Sequence, residues 1–195
     1  MLQKALKGAP AFIRNSATLK GDVNKLLKAA RKLGLEGLIG KRADSRYEAG
    51  RRSGAWIKLK LHQEQEMVIG GFTDPEGSRK HFGSLLVGCY EKGDLLCAGK
   101  VGTGFNDALL GALANNFESL PTDACPFKNL PEKKSGRYGA GITTSEMKRC
   151  HWLKPKLVCQ VKFSEWTRDG KLRQPVFLGL RDDKTAKEVV RETST

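Results

Sequence analysis

Lys58 and Lys60 alternate with apolar residues in the run Trp56-Ile57-Lys58-Leu59-Lys60. If this run is a strand, its period of two places Trp56, Lys58 and Lys60 on one face and turns Ile57 and Leu59 toward the core. Two ammonium groups about 7 Å apart repel each other unless an anion lies over them, and a polyphosphate would gain most from such a pair. The alternative is an ordinary solvated lysine face.

Glu36 begins the preceding apolar run, Glu36-Gly37-Leu38-Ile39-Gly40. A carboxylate beside a polyphosphate-binding face can position a divalent cation against the phosphates, so we interpret Glu36 as a candidate metal ligand. The loop between the two runs is rich in guanidinium groups, whose planar forks match phosphate oxygens. Its arginines of interest are Arg42, Arg51 and Arg52.

Taken in their order along the chain, these motifs resemble those of the ATP-dependent DNA ligases, most closely the bacterial repair type. The resemblance is carried by residues 35–41, 44–45, 47, 50–53, 56–60 and 173–184. The segment 166–173, which leads into the last block, favours the DNA ligases over a related RNA-capping or RNA-ligase domain. The resemblance implies an ATP-binding enzyme that seals nicks in duplex DNA during repair and recombination. The alternative is a non-catalytic OB-fold module that clamps duplex or nicked DNA.

The resemblance implies three phosphoryl transfers: a lysine takes AMP from ATP, AMP passes to the 5′-phosphate at a nick, and the 3′-hydroxyl displaces AMP. It implies that Glu36 holds Mg²⁺ or Mn²⁺ and acts in catalysis with Lys58 and Lys60, which contact the nucleotide phosphates. The residues that orient the leaving pyrophosphate would be Arg181, Asp183 and Lys184. The candidate DNA-binding residues are Arg42, Arg51, Arg52, Lys100 and Arg173.

The nucleophile motif of the family, with the aspartate and aromatic blocks that normally follow it, has no counterpart in these 195 residues. The family's nucleophilic lysine lies in a Lys-x-Asp-Gly motif upstream of the Glu-Gly block, and Lys20-Gly21-Asp22 has the wrong order. We therefore expect that this chain alone forms no covalent adduct with AMP. We expect as partners nicked double-stranded DNA and the missing N-terminal half of the adenylation domain.

The composition favours a polyanion as partner, because 35 Lys and Arg oppose 21 Asp and Glu for a net charge of +14. A basic but indifferent surface is the alternative. No apolar run approaches 18 residues, so no membrane span is predicted. The five cysteines contain no Cys-x-x-Cys pair, which favours a reducing, cytosolic compartment. The resemblance to the bacterial repair ligases implies the cytoplasm of a bacterium, near its nucleoid. Three of them are predicted to be small core residues: Cys89, Cys97 and Cys159.

The predicted fold class is α+β. The resemblance implies that residues 1–63 are a partial nucleotidyltransferase (ATP-grasp-like) segment, the C-terminal part of the adenylation domain. Residues 64–195 are predicted to be an OB-fold β-barrel with an inserted helix. The barrel prediction depends on short apolar runs with turn signals between them and one helical segment. These runs are 67–72, 82–90, 95–101, 157–163 and 176–180, with the helix at 107–117. Another small β-barrel or a sandwich is the alternative.

The remaining pattern is local. A helix is predicted at 22–33, capped by Asp22 and stopped by Gly34, with a strand before it at 12–14. Residues 61–66 are predicted to be a polar linker, and the tail from Thr185 a short fraying helix. Residues 121–150 are predicted to be a long loop, either merely solvated or a phosphate-contacting arm. The cations of that arm are Lys133, Lys134, Arg137, Lys148 and Arg149.

Overall fold

The structure is a computed structural model and describes residues 4, 6–10, 12–13, 18–33, 35–46, 48–51, 53–133 and 141–192. The chain forms two compact units that divide between Leu61 and His62. The first unit contains a helix and a β-hairpin, and the second contains a β-sheet with short helices. The assignment of 1–63 and 64–195 to two parts of a ligase stays a prediction.

Helix α1 of the first unit spans Val23–Lys32. It begins where the Asp22 carboxylate accepts a hydrogen bond from the Lys25 amide at 3.0 Å, which satisfies one of the free N–H groups of the first turn. Ala30 is the buried residue of the helix. The predicted helix and its cap are therefore confirmed, whereas its predicted stop, Gly34, lies outside the described residues.

The segment before α1 contains a turn where a strand is predicted. The Ile13 amide donates to the Pro10 carbonyl at 2.8 Å, and both Phe12 and Ile13 are exposed. A proline fixes its own φ near the value that turns require, which favours this geometry over an extended one. The strand prediction is wrong for these two residues, and Arg14 lies outside the described residues.

The hairpin consists of strands β1, Gly37–Lys41, and β2, Trp56–Lys60, which pair antiparallel. Gly37 has a φ of +154°, and a Cβ at this position would lie 2.1 Å from the Leu59 carbonyl oxygen. No other residue type fits such a close approach without moving the backbone. Gly37 therefore sets how closely the two strands meet.

The two faces of β2 differ from the prediction at one position. Leu59 is half-buried, as predicted, but Ile57 is 54% exposed. Ile57 lies directly opposite Gly40, which has no side chain to cover it. The predicted burial of Ile57 is therefore wrong, because its cross-strand neighbour supplies no side chain to cover it.

The second unit is built mainly from five longer strands and three short ones. Their bounds are β3 Gln63–Thr73, β4 Leu85–Glu91, β5 Asp94–Val101, β6 Cys150–Trp152, β7 Val158–Phe163, β8 Glu165–Trp166, β9 Leu172–Arg173 and β10 Val176–Arg181. The main sheet has the antiparallel order β10-β7-β3-β4-β5, while β6 pairs with the end of β3 and β8 pairs with β9.

The sheet closes where the chain leaves β5 and meets β10. The Phe177 amide donates to the Thr103 carbonyl at 2.9 Å, and the Thr103 hydroxyl donates to the Pro175 carbonyl at 3.1 Å. Gly104, with φ +97°, permits this approach because a Cβ there would lie 2.2 Å from the Phe177 carbonyl oxygen. With helix α2, Asp107–Phe117, inserted between β5 and β7, the arrangement is an OB barrel. The predicted α+β class with an OB fold is confirmed.

Helix α2 packs its apolar face on the barrel. It begins at Asn106, whose side chain accepts from the Leu109 amide at 2.8 Å. The helix buries Leu110, Leu113 and Phe117. The largest fully buried side chains of the barrel are Phe82, Phe163, Phe177, Met67, Ile69, Leu85, Leu86, Ile142 and Leu153.

The three cysteines predicted to lie in the core are buried. Burial raises the pKa of the Cys89 thiol to about 11 and that of Cys97 to about 12, and it also raises the pKa of Cys159. All three are free of disulfides. They are protonated packing residues at neutral pH and not nucleophiles.

The first four residues of β3, Gln63–Glu66, fall within the predicted polar linker. Gln65 is 2% exposed, yet its side chain is paired: it donates to the Val190 carbonyl at 3.0 Å and accepts from the Glu192 amide at 3.2 Å. Buried polar groups are tolerated when they are hydrogen-bonded in this way. The linker prediction for 61–66 is therefore wrong for its last four residues.

The described parts of the predicted long loop, residues 121–133 and 141–150, pack against the core. Phe127 and Ile142 are buried in the core, and a short helix α3, Thr144–Met147, begins with a capping box. These apolar contacts fix a segment that lacks any periodic pattern. Residues 134–140 lie outside the described residues. Two cations of the predicted arm are among them: Lys134 and Arg137.

The tail after Thr185 forms one 3-10 turn, Ala186–Glu188. Val189 is buried behind it, and the Tyr90 amide donates to the Val189 carbonyl at 2.8 Å. The predicted short helix is confirmed in position as a single turn, and Val189 is held against β4. Residues 193–195 lie outside the described residues, so the fraying stays a prediction.

Candidate functional site

Glu36 and Lys58, predicted to share a site, are in direct contact in the first unit. Glu36 immediately precedes β1, and its carbonyl accepts a hydrogen bond from the Leu61 amide at 3.0 Å, which extends the pairing beyond the hairpin strands. The Lys58 Nζ lies 2.6 Å from Glu36 Oε1, with the two side chains 43% and 42% exposed. The pair therefore offers a carboxylate and an ammonium group side by side at an open surface.

The other residues of this face are arranged by the hairpin register. Lys41 lies opposite Trp56, and its Nζ is 4.0 Å from the centre of the indole ring, a cation–π contact. Lys60 lies opposite Gly37 and is exposed. By strand alternation Trp56, Lys58 and Lys60 share one face, which combines an aromatic surface with two cations.

The loop between the hairpin strands carries the candidate DNA-binding arginines. The Arg42 amide donates to the Ala55 carbonyl at 2.9 Å, and the Ser45 hydroxyl donates to the Arg42 carbonyl at 2.8 Å, so the start of the loop is held by its backbone. Arg42 and Arg51 are exposed, and no carboxylate among the described residues lies within ion-pair distance of either. Arg52 lies outside the described residues.

A second cluster lies in the second unit, at the end of β10. Arg181 donates from Nε and Nη2 to the two carboxylate oxygens of Asp183, both at 2.7 Å. Its Nη1 lies 3.5 Å from Glu66 Oε1 and donates to Gln160 Oε1 at 3.3 Å. Lys184 Nζ lies 3.1 Å from the other oxygen of Glu66. The structure thus brings together the three residues predicted to orient pyrophosphate.

The electrostatics of this cluster follow from the Arg181–Asp183 contact. The hydrogen bonds from Arg181 lower the pKa of Asp183 to about 2, and the same contact raises the pKa of Arg181. Both groups are therefore fully charged across the physiological range. The bidentate geometry fixes the plane of the guanidinium group.

The two remaining candidate DNA-binding residues are each paired with a carboxylate. Lys100 Nζ lies 2.9 Å from Glu146 Oε1, and Arg173 Nη1 lies 2.7 Å from Glu165 Oε1. Burial acts to raise the pKa of Glu146, but hydrogen bonds from Thr143 and Lys100 outweigh it, and the pKa is lowered overall.

Lys100 also lines a cleft of about 340 Å³ at one end of the barrel. Arg149, from the predicted phosphate arm, borders the same cleft and pairs with Glu76 at 2.9 Å. Carboxylates pair with these cations in the lining of the cleft, so the lining is not a cationic surface.

Sequence reasoning missed Glu66 and Gln160, which complete the cluster around Arg181. Both lie on neighbouring strands and face each other directly, Glu66 on β3 and Gln160 on β7. A strand could have been predicted here from the sequence, because the acidic residues Glu64 and Glu66 alternate with Gln65 and Met67 at a period of two. The interpretation of 61–66 as a linker hid it.

Sequence reasoning also missed a buried ion pair. The Lys171 ammonium is almost fully buried, donates to the Cys97 carbonyl at 2.7 Å, and contacts the Glu132 carboxylate. It ties the segment before β9 to β5 and to the loop after residue 121. A buried pair of this kind holds a fold together and is not accessible to a substrate.

Within the described ranges, no group of three or more His, Cys, Asp or Glu side chains is arranged to hold a metal ion. Glu36 is a single exposed carboxylate, which fits Mg²⁺ or Mn²⁺ only in the usual manner of nucleotide enzymes, where phosphates and water complete the ligand set. No helix in the described part of the chain has the length and apolar character needed to cross a bilayer.

The first unit thus carries a Lys-x-Lys hairpin, and the second is an OB barrel whose last long strand leads into Arg-x-Asp-Lys. Two family descriptions match the chain: "ATP dependent DNA ligase domain" over residues 1–60 and "ATP dependent DNA ligase C terminal region" over residues 78–184. The chain belongs to the ATP-dependent DNA ligase family. This outcome confirms the resemblance and does not favour the RNA-capping or RNA-ligase alternative.

The relatives define which portion of a ligase the chain resembles. It is 44% identical over 183 residues to the multifunctional non-homologous end joining protein LigD of Pseudomonas aeruginosa, covering 92% of this chain and 20% of that protein. The ligase domain of Mycobacterium tuberculosis LigD superposes with a TM-score of 0.59 at 40% identity, over 98% of this chain and 58% of that one. A mycobacterial DNA ligase D complexed with ATP gives a TM-score of 0.56 at 39% identity, with the same shares.

The chain therefore spans about a fifth of the LigD protein of P. aeruginosa and somewhat over half of the solved ligase domain. The match over residues 78–184 is to the C-terminal region of a ligase.

Proposed function

We propose that this chain acts as the C-terminal portion of an ATP-dependent DNA ligase, in which 1–63 complete an adenylation domain and 64–195 form the OB domain. Its substrate would be a nick in duplex DNA, sealed during repair and recombination. The observation that supports this most directly is the 2.6 Å contact between Glu36 and Lys58 within a segment that matches the ligase family.

Glu36, Lys58 and Lys60 would form the nucleotide-phosphate side of the site. Glu36 would hold Mg²⁺ or Mn²⁺, which supplies charge neutralisation on the phosphates when bound. Lys58 and Lys60 would contact phosphate oxygens of ATP or of the AMP joined to DNA. In the Glu36–Lys58 contact, the carboxylate keeps the Lys58 ammonium at the surface where these phosphates would bind.

Arg181, Asp183 and Lys184 would act on the leaving pyrophosphate in the first step. Asp183 fixes the guanidinium plane of Arg181, and Lys184 adds a second positive charge three residues later. Charge stabilisation of this kind is the main contribution that proteins make to phosphoryl transfer.

The duplex would be held by cations outside the two phosphate sites. The exposed Arg42 and Arg51 support a role in contacting the DNA backbone, and Arg52, Lys100 and Arg173 are proposed for the same role. The lysine nucleophile would come from a Lys-x-Asp-Gly segment, the N-terminal half of the adenylation domain. The proposed compartment is the bacterial cytoplasm, near the nucleoid.

The last step offers a test that needs no lysine nucleophile. In that step the 3′-hydroxyl oxygen bonds to the 5′-phosphate, the bond between that phosphate and AMP breaks, AMP leaves, and the hydroxyl proton passes to water. The whole chain is incubated with Mg²⁺ and a nick that already carries AMP, and sealing is followed on a denaturing gel.

We expect Glu36→Gln and Lys58→Ala to slow sealing about 100-fold, the usual cost of losing one preorganised charge contact. DNA binding at fixed salt should change less than about twofold, because these groups act on phosphates at the reacting centre. Glu48→Gln and Lys28→Ala, which make the same changes at exposed positions of the same unit, are the matched controls.

The second candidate function is a non-catalytic DNA clamp, which the net charge of +14 favours. A clamp binds the nick with steep salt dependence but does not seal it in any variant. Equal losses of binding and sealing in Lys58→Ala would contradict the catalytic role of Lys58 and make it a structural residue.

A further inference from the structure

One carboxylate, Glu66, joins the two cations proposed to act on pyrophosphate. Its Oε1 lies 3.5 Å from Arg181 Nη1, and its Oε2 lies 3.1 Å from Lys184 Nζ. Glu66 is only 17% exposed and belongs to β3, directly opposite Gln160 on β7. Its position is therefore fixed by the central strands of the barrel, whereas Lys184 lies just beyond the end of β10.

The nitrogen atoms of Arg181 are largely occupied in this arrangement. Nε and Nη2 donate to Asp183, and Nη1 faces Gln160 and Glu66. Asp183 is two residues from Arg181 in the same segment, whereas Glu66 and Gln160 belong to other strands. A phosphate that approaches from the open side has to replace the contacts with Glu66 and Gln160 before it can bind Arg181 fully.

The net charge of the cluster also disfavours the binding of a phosphate. Three carboxylates lie near Arg181 and Lys184: Asp182 and Asp183 in the same segment, and Glu66 on β3. The cluster therefore has a net negative charge and attracts anions poorly. Of the three, Glu66 is the carboxylate that contacts both cations. Removing its charge alone converts the cluster from net negative to neutral and frees one side of each cation.

We propose that Glu66 is a positioning residue that holds Arg181 and Lys184 on the barrel in the absence of polyphosphate and competes with inorganic pyrophosphate for them. Its place in the reaction rests on the proposed function, in which these two cations orient the leaving pyrophosphate. The competition itself is a property of the barrel and is measurable without any ligation.

The test is the affinity of the whole chain for inorganic pyrophosphate, measured by titration calorimetry at low, fixed ionic strength. Glu66→Gln keeps the size of the side chain and removes its charge, so we expect pyrophosphate to bind about fivefold tighter than to the unchanged chain. Glu64→Gln is the matched control: Glu64 lies two residues earlier on the same face of β3 and is exposed. Its substitution should change the affinity less than about twofold.

A chain that lacks both cations shows whether the gain in affinity arises from them. In a chain that already carries Lys184→Gln and Arg181→Gln, adding Glu66→Gln should change the affinity less than about twofold, because the cations that Glu66 occupies are gone. Should Glu66→Gln fail to fold by circular dichroism, Glu66→Asp replaces it: the shorter side chain withdraws the carboxylate from both cations, and a tighter affinity is again expected.

Three results would overturn the proposal: equal affinities for Glu66→Gln and Glu64→Gln, a gain that persists without Arg181 and Lys184, or no measurable binding to Glu66→Gln. The proposed function fails separately. A fivefold gain together with no sealing of an adenylated nick contradicts only the ligase role, and sealing that depends on Lys58 without any gain contradicts only the role of Glu66.

Discussion

Arg181 and Asp183 are separated by one residue, so their bidentate contact forms locally at the end of β10 and needs no distant partner. The contact lowers the pKa of Asp183 to about 2, whereas an aspartate in an unfolded chain titrates near about 3.9. Folding therefore binds fewer protons at this group. The stabilisation is fully present above about pH 4 and fades as the pH falls through about 2.

We predict that Asp183→Asn lowers the urea midpoint of the chain slightly at about pH 6 and by clearly less at about pH 2. The reason is that the protonated aspartic acid no longer accepts from Arg181 as a charged group. The measurement is urea unfolding followed by fluorescence at these two pH values.

Asp182→Asn is the control for this pair, because Asp182 is exposed and adjacent but is not hydrogen-bonded to Arg181. A pH-independent difference between Asp183→Asn and the unchanged chain would contradict the assignment of the low pKa to Asp183.

At the residue scale, the sequence predicted which side chains carry charge toward phosphates but not which carboxylates hold them. Glu36 and Lys58 could be paired in advance because both belong to one motif set. Glu66 could not, since it lies 118 positions from Lys184 and the two meet only through the order of strands in the barrel. Side-chain partners that depend on long-range strand order are not readable from local pattern.

At the element scale, the hairpin that carries Glu36 and Lys58 depends on one glycine. A Cβ on Gly37 would lie 2.1 Å from the Leu59 carbonyl oxygen, and the φ of +154° is one that residues with side chains rarely adopt. The first pair of the ladder, Gly37 opposite Lys60, must therefore separate if any side chain is introduced.

We predict that Gly37→Ala destabilises the hairpin by about 2 kcal/mol, which makes the amides of β1 and β2 exchange about 30-fold faster. Hydrogen exchange by mass spectrometry measures this on peptides that cover the hairpin. Sealing of an adenylated nick should fall with it, because the Glu36–Lys58 contact depends on the strand register.

Gly50→Ala provides the matched control, since Gly50 also has a positive φ, +71°, but a Cβ there has no atom within 4 Å. Equal exchange rates in the two variants would mean that backbone strain alone, and not the approach of the strands, sets the stability of the hairpin.

The elements themselves were largely predictable, because the barrel strands have short apolar runs bounded by turn signals and α1 has a capped amphipathic pattern. Two errors share a cause. Ile57 was expected to be buried and is exposed because Gly40 lies across from it, and Gln65 was assigned to a linker although strand β3 buries it. Periodicity gives the direction of a side chain, but the neighbouring strand decides what covers it.

At the scale of the whole molecule, the 195 residues combine a net charge of +14 with phosphate-binding candidates in both units, yet they contain no Lys-x-Asp-Gly motif. We predict that incubation with ATP and Mg²⁺ leaves the intact mass of the chain unchanged. The reason is that Lys58 is engaged by Glu36 and is proposed to contact phosphates, and no lysine here has the sequence context of the family's nucleophile.

Intact-mass spectrometry checks this prediction, with a ligase that contains the Lys-x-Asp-Gly motif as the positive control. The addition of one AMP to this chain would contradict the prediction and would identify a lysine of its own as the nucleophile.

The contacts of Gln65 have a consequence for changing the chain connectivity of the barrel. Its side chain binds Val190 and Glu192 while its backbone lies three residues past the boundary at His62. The entry and the described exit of the barrel are thus adjacent, which is the geometry that tolerates circular permutation and transplantation into a surface loop of another protein. The Gln65 side chain thus links the first strand of the barrel to the segment at Val190 and Glu192, and we expect the barrel to tolerate insertion into a loop of another protein.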